Sequence, residues 1–116
     1  MDDLQRRIET LEYHQQLLIR MLKFSNDQLY YLIILKNLSR QETEALLDVC
    51  ESMSEKLQKQ KAEGYVTFYP LLNELQAHLP NSISINELVQ ACLKQGVYVA
   101  LMQNMKELLE EGDCFF

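Results

Sequence analysis

The chain has 116 residues, 47% apolar and 24% charged, the composition of one small globular domain able to bury a single core. Lysine and arginine number 11 against 17 acids, a net charge of -6, which argues against a nucleic-acid binder with its basic patch on a basic domain. Three Gly and two Pro are too few for a turn-rich all-β fold, so the expected class is all-α, a single domain and helical bundle of about six helices.

A first helix is expected from Asp2 or Asp3, either of which can cap it, to about Phe24. Leu4, Leu11 and Leu18 stand seven apart, and Ile8, Gln15 and Leu22 each follow four residues later. That is a heptad seam with leucine at d and Ile, Gln and Leu at a. In a parallel pairing Arg7 at g faces Glu12 at the next e of a neighbouring chain, and Gln15 sets register at some cost in stability. The expected oligomer interface is therefore Leu4, Ile8, Leu11, Gln15, Leu18 and Leu22, flanked by Arg7 and Glu12. The pattern does not separate a trimer from a dimer. Leu17, Ile19, Met21 and Phe24 make the later turns apolar on more sides, as if the helix enters a core there. His14 sits at g beside the seam, where its protonation would make association pH-sensitive.

Ser25, Asn26 and Asp27 form a break and can cap a second helix, about 27–37. It holds the apolar run Leu29 to Leu35, far short of the roughly twenty residues of a membrane span. With no strand partner elsewhere, the run reads as a central helix, apolar nearly all round, whose surplus surface needs a cover.

Ser39 and Glu42 form a capping box, each satisfying the other's free backbone N–H, and open a third helix of about 40–63 that Gly64 stops. Its stripe is Leu46, Val49, Met53 and Leu57, and Glu55 precedes Lys59 in the favourable order for an exposed pair. Thr67 is expected to cap a fourth helix, 68–78, with Pro70 in the first turn and Pro80 ending it. Phe68, Leu71, Leu72, Leu75 and Leu79 make its stripe, and the aromatic turn from Gly64 to Pro70 reads as a staple onto the core. Ser84 and Glu87 form a second box for a fifth helix, 85–95, closed by Gly96, with Ile85, Leu88, Val89 and Cys92 facing inward. A sixth runs from about 97 to 111 and stops at Gly112, with Tyr98, Leu101, Met102, Met105, Leu108 and Leu109 on one face. The organisation expected is an oligomerisation helix at 1–24, a bundle at 25–112 and a tail at 113–116.

No constellation of reactive groups emerges. Cys50, Cys92 and Cys114 are widely spaced, with neither a CxxC motif nor a disulfide framework, so Cys50 and Cys92 read as buried thiols and Cys114 as exposed in the tail. Glu74 and His78 share a helix face but lack the second carboxylate–histidine pair of a di-metal bundle, and read as a solvated pair. Neither a nucleophile elbow nor a phosphate-cradling glycine loop is present. The expectation is a protein that is not an enzyme, with no catalytic residues, no cofactor and no metal.

Charge is uneven along the chain. Residues 65–116 hold six acids and only two bases, Lys94 and Lys106, an acidic surface that can dock a basic partner. Asp2 and Asp3 stand where a secretory signal would be basic, and thiols without a disulfide pattern suit a reducing compartment, so a cytoplasmic location is expected.

The chain resembles the YhaI-like proteins, a family of small uncharacterised all-helical proteins from spore-forming Gram-positive bacteria. The matching stretches are Arg7-Ile8-Glu9-Thr10-Leu11-Glu12-Tyr13, Leu38-Ser39-Arg40-Gln41-Glu42, Gln60-Lys61-Ala62-Glu63-Gly64-Tyr65-Val66-Thr67-Phe68, and Gln95-Gly96-Val97-Tyr98 with Leu101-Met102. The resemblance implies a single helical domain, cytoplasmic, assembled from several copies, and it implies no activity. The function expected is a homo-oligomeric interaction or scaffold module with partners in itself and in other proteins, without nucleic acid or membrane. Two alternatives stand beside it: an acidic regulator that sequesters a nucleic-acid-binding protein, and a ligand-sensing helical bundle with an enclosed cavity lined by Phe, Tyr and Met.

Overall fold

Capping chemistry places most of the helix ends. In the computed structural model, which describes residues 2–113, six helices follow one another: α1 Asp3–Leu22, α2 Gln28–Leu35, α3 Arg40–Ala62, α4 Tyr69–Ala77, α5 Ile85–Gln95 and α6 Val99–Asp113. There is no strand among the described residues, so the fold is all-α. Asp2 caps α1 by accepting the Gln5 N–H at 3.0 Å. Both capping boxes close: Ser39 with Glu42 opens α3, and Ser84 with Glu87 opens α5. Gly64 (φ 87°) and Gly96 (φ 78°) take the left-handed conformation that glycine adopts without strain, and end α3 and α5. Asn37 (φ 54°) does the same after α2, where the Leu38 N–H donates to the Ile33 carbonyl at 3.1 Å.

Several helix ends differ from the expectation. α1 stops at Leu22 instead of Phe24, because Ser25 Oγ–H donates to the Leu22 carbonyl at 2.8 Å and turns the chain. α4 starts at Tyr69, with Phe68 at the cap position, so Thr67 does not cap it. α6 starts at Val99 and passes through Gly112 to Asp113. Tyr98 just before it takes φ 51°, a conformation costing an aromatic residue about 1–2 kcal/mol. Its partly buried ring packs on the core and its hydroxyl donates to the Leu47 carbonyl at 3.4 Å. Residues 114–116 of the expected tail, Cys114 included, lie outside the described residues.

The core is one cluster drawn from α2 to α6. Leu46, Cys50, Met53 and Leu57 of α3 meet Leu71, Leu72 and Leu75 of α4, the inner face of α5, and Leu101, Met102, Met105 and Leu108 of α6. The predicted stripes are therefore the core, each fully buried leucine contributing about 1.5–3 kcal/mol. α5 packs against both α2 and α6. The aromatic turn is a staple only at Phe68, since Tyr65, Val66 and Tyr69 stay exposed and the Tyr69 hydroxyl donates to Glu111 at 3.1 Å.

α2 is less central than expected, and part of its apolar surface is left without a cover within the chain. Leu29 and Leu32 are buried, but Tyr30 and Leu35 are half exposed, because α2 lies against α5 and the end of α1 with its outer face open. Nor does the Ser25–Asp27 break cap it. Asp27 makes no capping bond, and Ser25 Oγ accepts the Asp27 N–H instead. The free amides of α2 are met from the far end of α5, where Gln95 Oε1 accepts the Leu29 N–H at 2.9 Å and the Tyr30 N–H at 3.3 Å. The Glu55–Lys59 pair does not close. The ion pairs formed among the described residues join different elements, Lys36 to Glu87 at 3.1 Å and Lys56 to Glu74.

Two predictions follow from this scaffold. Gln95→Ala removes the only side-chain cap of α2 and is expected to cost about 1 kcal/mol, the usual value of a lost cap, read as a melting temperature lower by a few degrees. An unchanged melting temperature would show that water serves those amides equally well. Glu87 is held below the usual carboxylate range, first by the Ser84 N–H and then by Lys36. Its stabilisation is present while it is ionised and is lost as pH falls through its lowered folded-state pKa. Glu87→Gln keeps the cap without the charge, so the stability gap between wild type and variant is expected at neutral pH and should vanish in acid. Parallel melting curves across that pH range would refute the assignment.

Candidate functional site

The helix that carries the heptad pattern is the one element without a buried residue. Leu4 and Leu11 are each 65% exposed, Leu18 55% and Ile8 47%, and Arg7, Glu12 and Gln15 are exposed beside them. Leu22, the last seam residue, is half-buried, because there α1 meets α2. Seven of the eight predicted interface residues thus lie on an open face of one helix. The expected entry into the core does not occur. Beyond Leu17 only Ile19 and Leu22 are partly covered, while Met21 and Phe24 are exposed, Phe24 to 88%. The cause is the direction of α1: it leaves the bundle and touches it only at its root.

Dimensions say the same. The radius of gyration is 17.4 Å, against roughly 13 Å for a compact domain of this length. The extents are 63 × 26 × 25 Å, and twenty helical residues span about 30 Å, so α1 supplies the long dimension as a projecting arm. Such a helix has little tertiary packing to hold it, which is what stabilises most helices in proteins. A shallow groove along it is lined by Arg6, Arg7, Thr10, Leu11 and His14, so that Arg7 and His14 border Leu11 on the flank where the e positions of a second parallel helix would lie.

Among the described residues neither histidine pairs with a carboxylate side chain. His78 is exposed, and its Nδ1–H donates to the Glu74 backbone carbonyl at 2.8 Å, while the Glu74 carboxylate pairs with Lys56. The two are therefore not the carboxylate–imidazole pair their spacing suggested. His14 lies on the arm beside Tyr13, their rings tilted by 47° with centroids 6.0 Å apart. Cys50 and Cys92 are both free and fully buried. Burial pushes the Cys50 thiol up to about 11 and the Cys92 thiol up to about 12, since a thiolate there would lose its solvation. No group of three or more metal-ligating side chains forms among the described residues, and no described helix is long and apolar enough to cross a membrane.

Sequence reasoning missed the Gln95 contact, since nothing in a chain pattern links an amide to a helix start 66 residues away. It also missed that Lys94 and Lys106, singled out as the bases of the acidic half, line one cleft. A family model described as protein of unknown function (DUF1878) matches residues 1–110, and the chain belongs to that family.

The buried thiols make a direct prediction. Iodoacetamide at neutral pH is expected to leave Cys50 and Cys92 unlabelled in folded protein and to label both in denaturant, as read by mass spectrometry of the peptides. Rapid labelling of either in the native state would overturn the account of an inert, close-packed core.

Proposed function

We propose that this member of the DUF1878 family is a cytoplasmic homo-oligomeric interaction module, joined through the α1 seam and without a catalytic site. The observation that carries the reading is the exposure of Leu4, Ile8, Leu11 and Leu18 on a projecting arm, in the one helix whose leucines repeat by sevens. Side chains of this size gain about 1.5–3 kcal/mol each on burial, and an unpartnered row of them is costly to keep in water. The occupant that fits is a second copy. Its own row presents leucine to leucine in the same register, and parallel alignment brings Glu12 of each chain to Arg7 of the next. Within the family we read it as YhaI-like, a reading supported by the resemblance of its Gln60 to Phe68 stretch.

Light scattering of full-length protein tests the seam. The expected mass is two or three times the 13.7 kDa chain, falling to a single chain in Leu11→Glu, which sets like charges against each other in every copy. Leu11 makes no core contact, so the melting transition of the bundle is expected to survive, and that transition controls for misfolding. A monomeric wild type, or an unchanged mass in the variant, would sink the reading.

A further inference from the structure

The half of the chain after residue 64 carries six acids and two lysines, and both lysines line one cleft between α5 and α6. The cleft has a volume of about 370 Å³, within the size range of small-molecule sites. Its apolar walls are Val89, Leu93 and Leu109, contributed by both helices, and Asn86 and Gln90 add neutral hydrogen-bonding groups. Neither lysine joins an ion pair among the described residues, although Glu110 lines the same cleft and stands one turn beyond Lys106. Lys94 also lines the neighbouring cleft at the root of the arm, where Lys23 is a further cation. Two lysines that form no ion pair among the described residues, lining a cleft with apolar walls, select a ligand that is anionic at one end and apolar at the other.

We propose that the α5–α6 cleft binds a single-chain amphiphilic carboxylate, its head group at Lys94 and Lys106 and its hydrocarbon chain against Val89, Leu93 and Leu109. A carboxylate suits the site because a lysine ammonium donates to its oxygens, and Asn86 or Gln90 can supply a further amide donor. The Glu110 carboxylate disfavours a multiply charged head group, so a monoanion fits better than a phosphate. This site is separate from the α1 seam and does not depend on it.

Calorimetric titration of the full-length protein with decanoate, below its micelle concentration, tests the proposal. Saturable binding of one decanoate per chain is expected, with a higher melting temperature. Lys94 and Lys106 are exposed, so a Lys94→Ala, Lys106→Ala double variant should fold as wild type and bind roughly tenfold more weakly or worse. Leu93→Glu is expected to weaken decanoate similarly by charging the apolar wall. Decanol and acetate supply the two halves separately, and both should bind far more weakly than decanoate. Decanol binding as well as decanoate would show that charge is not read, and acetate or inorganic phosphate binding as well would show that the chain is not read. Either result, or undiminished binding by the double variant, would overturn the proposal. Leu11→Glu run in parallel should bind decanoate normally, which separates this site from assembly through α1.

Discussion

The architecture turns on one long-range contact within the chain, the Gln95 side chain closing the open end of α2. A helix start leaves four backbone amides without intrahelical partners, and a short apolar helix such as α2 has few other ways to satisfy them. Gln95 meets two of them from the last turn of α5, where Gly96 has already turned the backbone away. The Lys36–Glu87 pair joins the other ends of the same two helices. α2 is thereby pinned at both ends on α5, with Leu29 and Leu32 packed between, and α5 in turn lies against α6. Where the bundle stops and the arm begins follows from this clamp.

The arm is the counterpart of that closed bundle. α2 to α6 bury their stripes within one chain, and α1 leaves its own uncovered. The asymmetry is physical: the bundle already has enough apolar faces to enclose each other, and α1 joins it only through Ile19 and Leu22. The Ser25 turn and the Gln28 side chain, whose Nε2–H groups donate to the carbonyls of Ser25, Lys23 and Leu22, hold the corner between arm and bundle. A helix of this kind gains its stability from whatever it meets.

Charge is arranged with equal economy. Lys36 and Lys56 are spent on carboxylates of other elements, and Glu87 serves a cap and an ion pair with its two oxygens. Lys94 and Lys106 have no such partner among the described residues and line one cleft with apolar side chains. The thiols are packed into the core, and the same burial raises their pKa values.

Local chemistry was legible in the chain. Ser39 with Glu42 and Ser84 with Glu87 announce helix starts because a capping box needs only residues three apart, and Gly64 and Gly96 announce stops because only one backbone conformation is required. Stripes such as Leu46, Met53 and Leu57 foretold the core because helical periodicity alone decides which side chains share a face. The heptad of Leu4, Leu11 and Leu18 was equally plain. What the pattern does not contain is direction. Thr67 has the right chemistry for a cap, yet Phe68 stands at that position, and Leu17 to Phe24 have core composition, yet most of them face solvent. Only the tertiary structure decided that α1 departs from the bundle, that Gln95 reaches α2, and that two lysines twelve residues apart share a cleft, because each depends on how helices cross in space, which spacing along one helix does not encode.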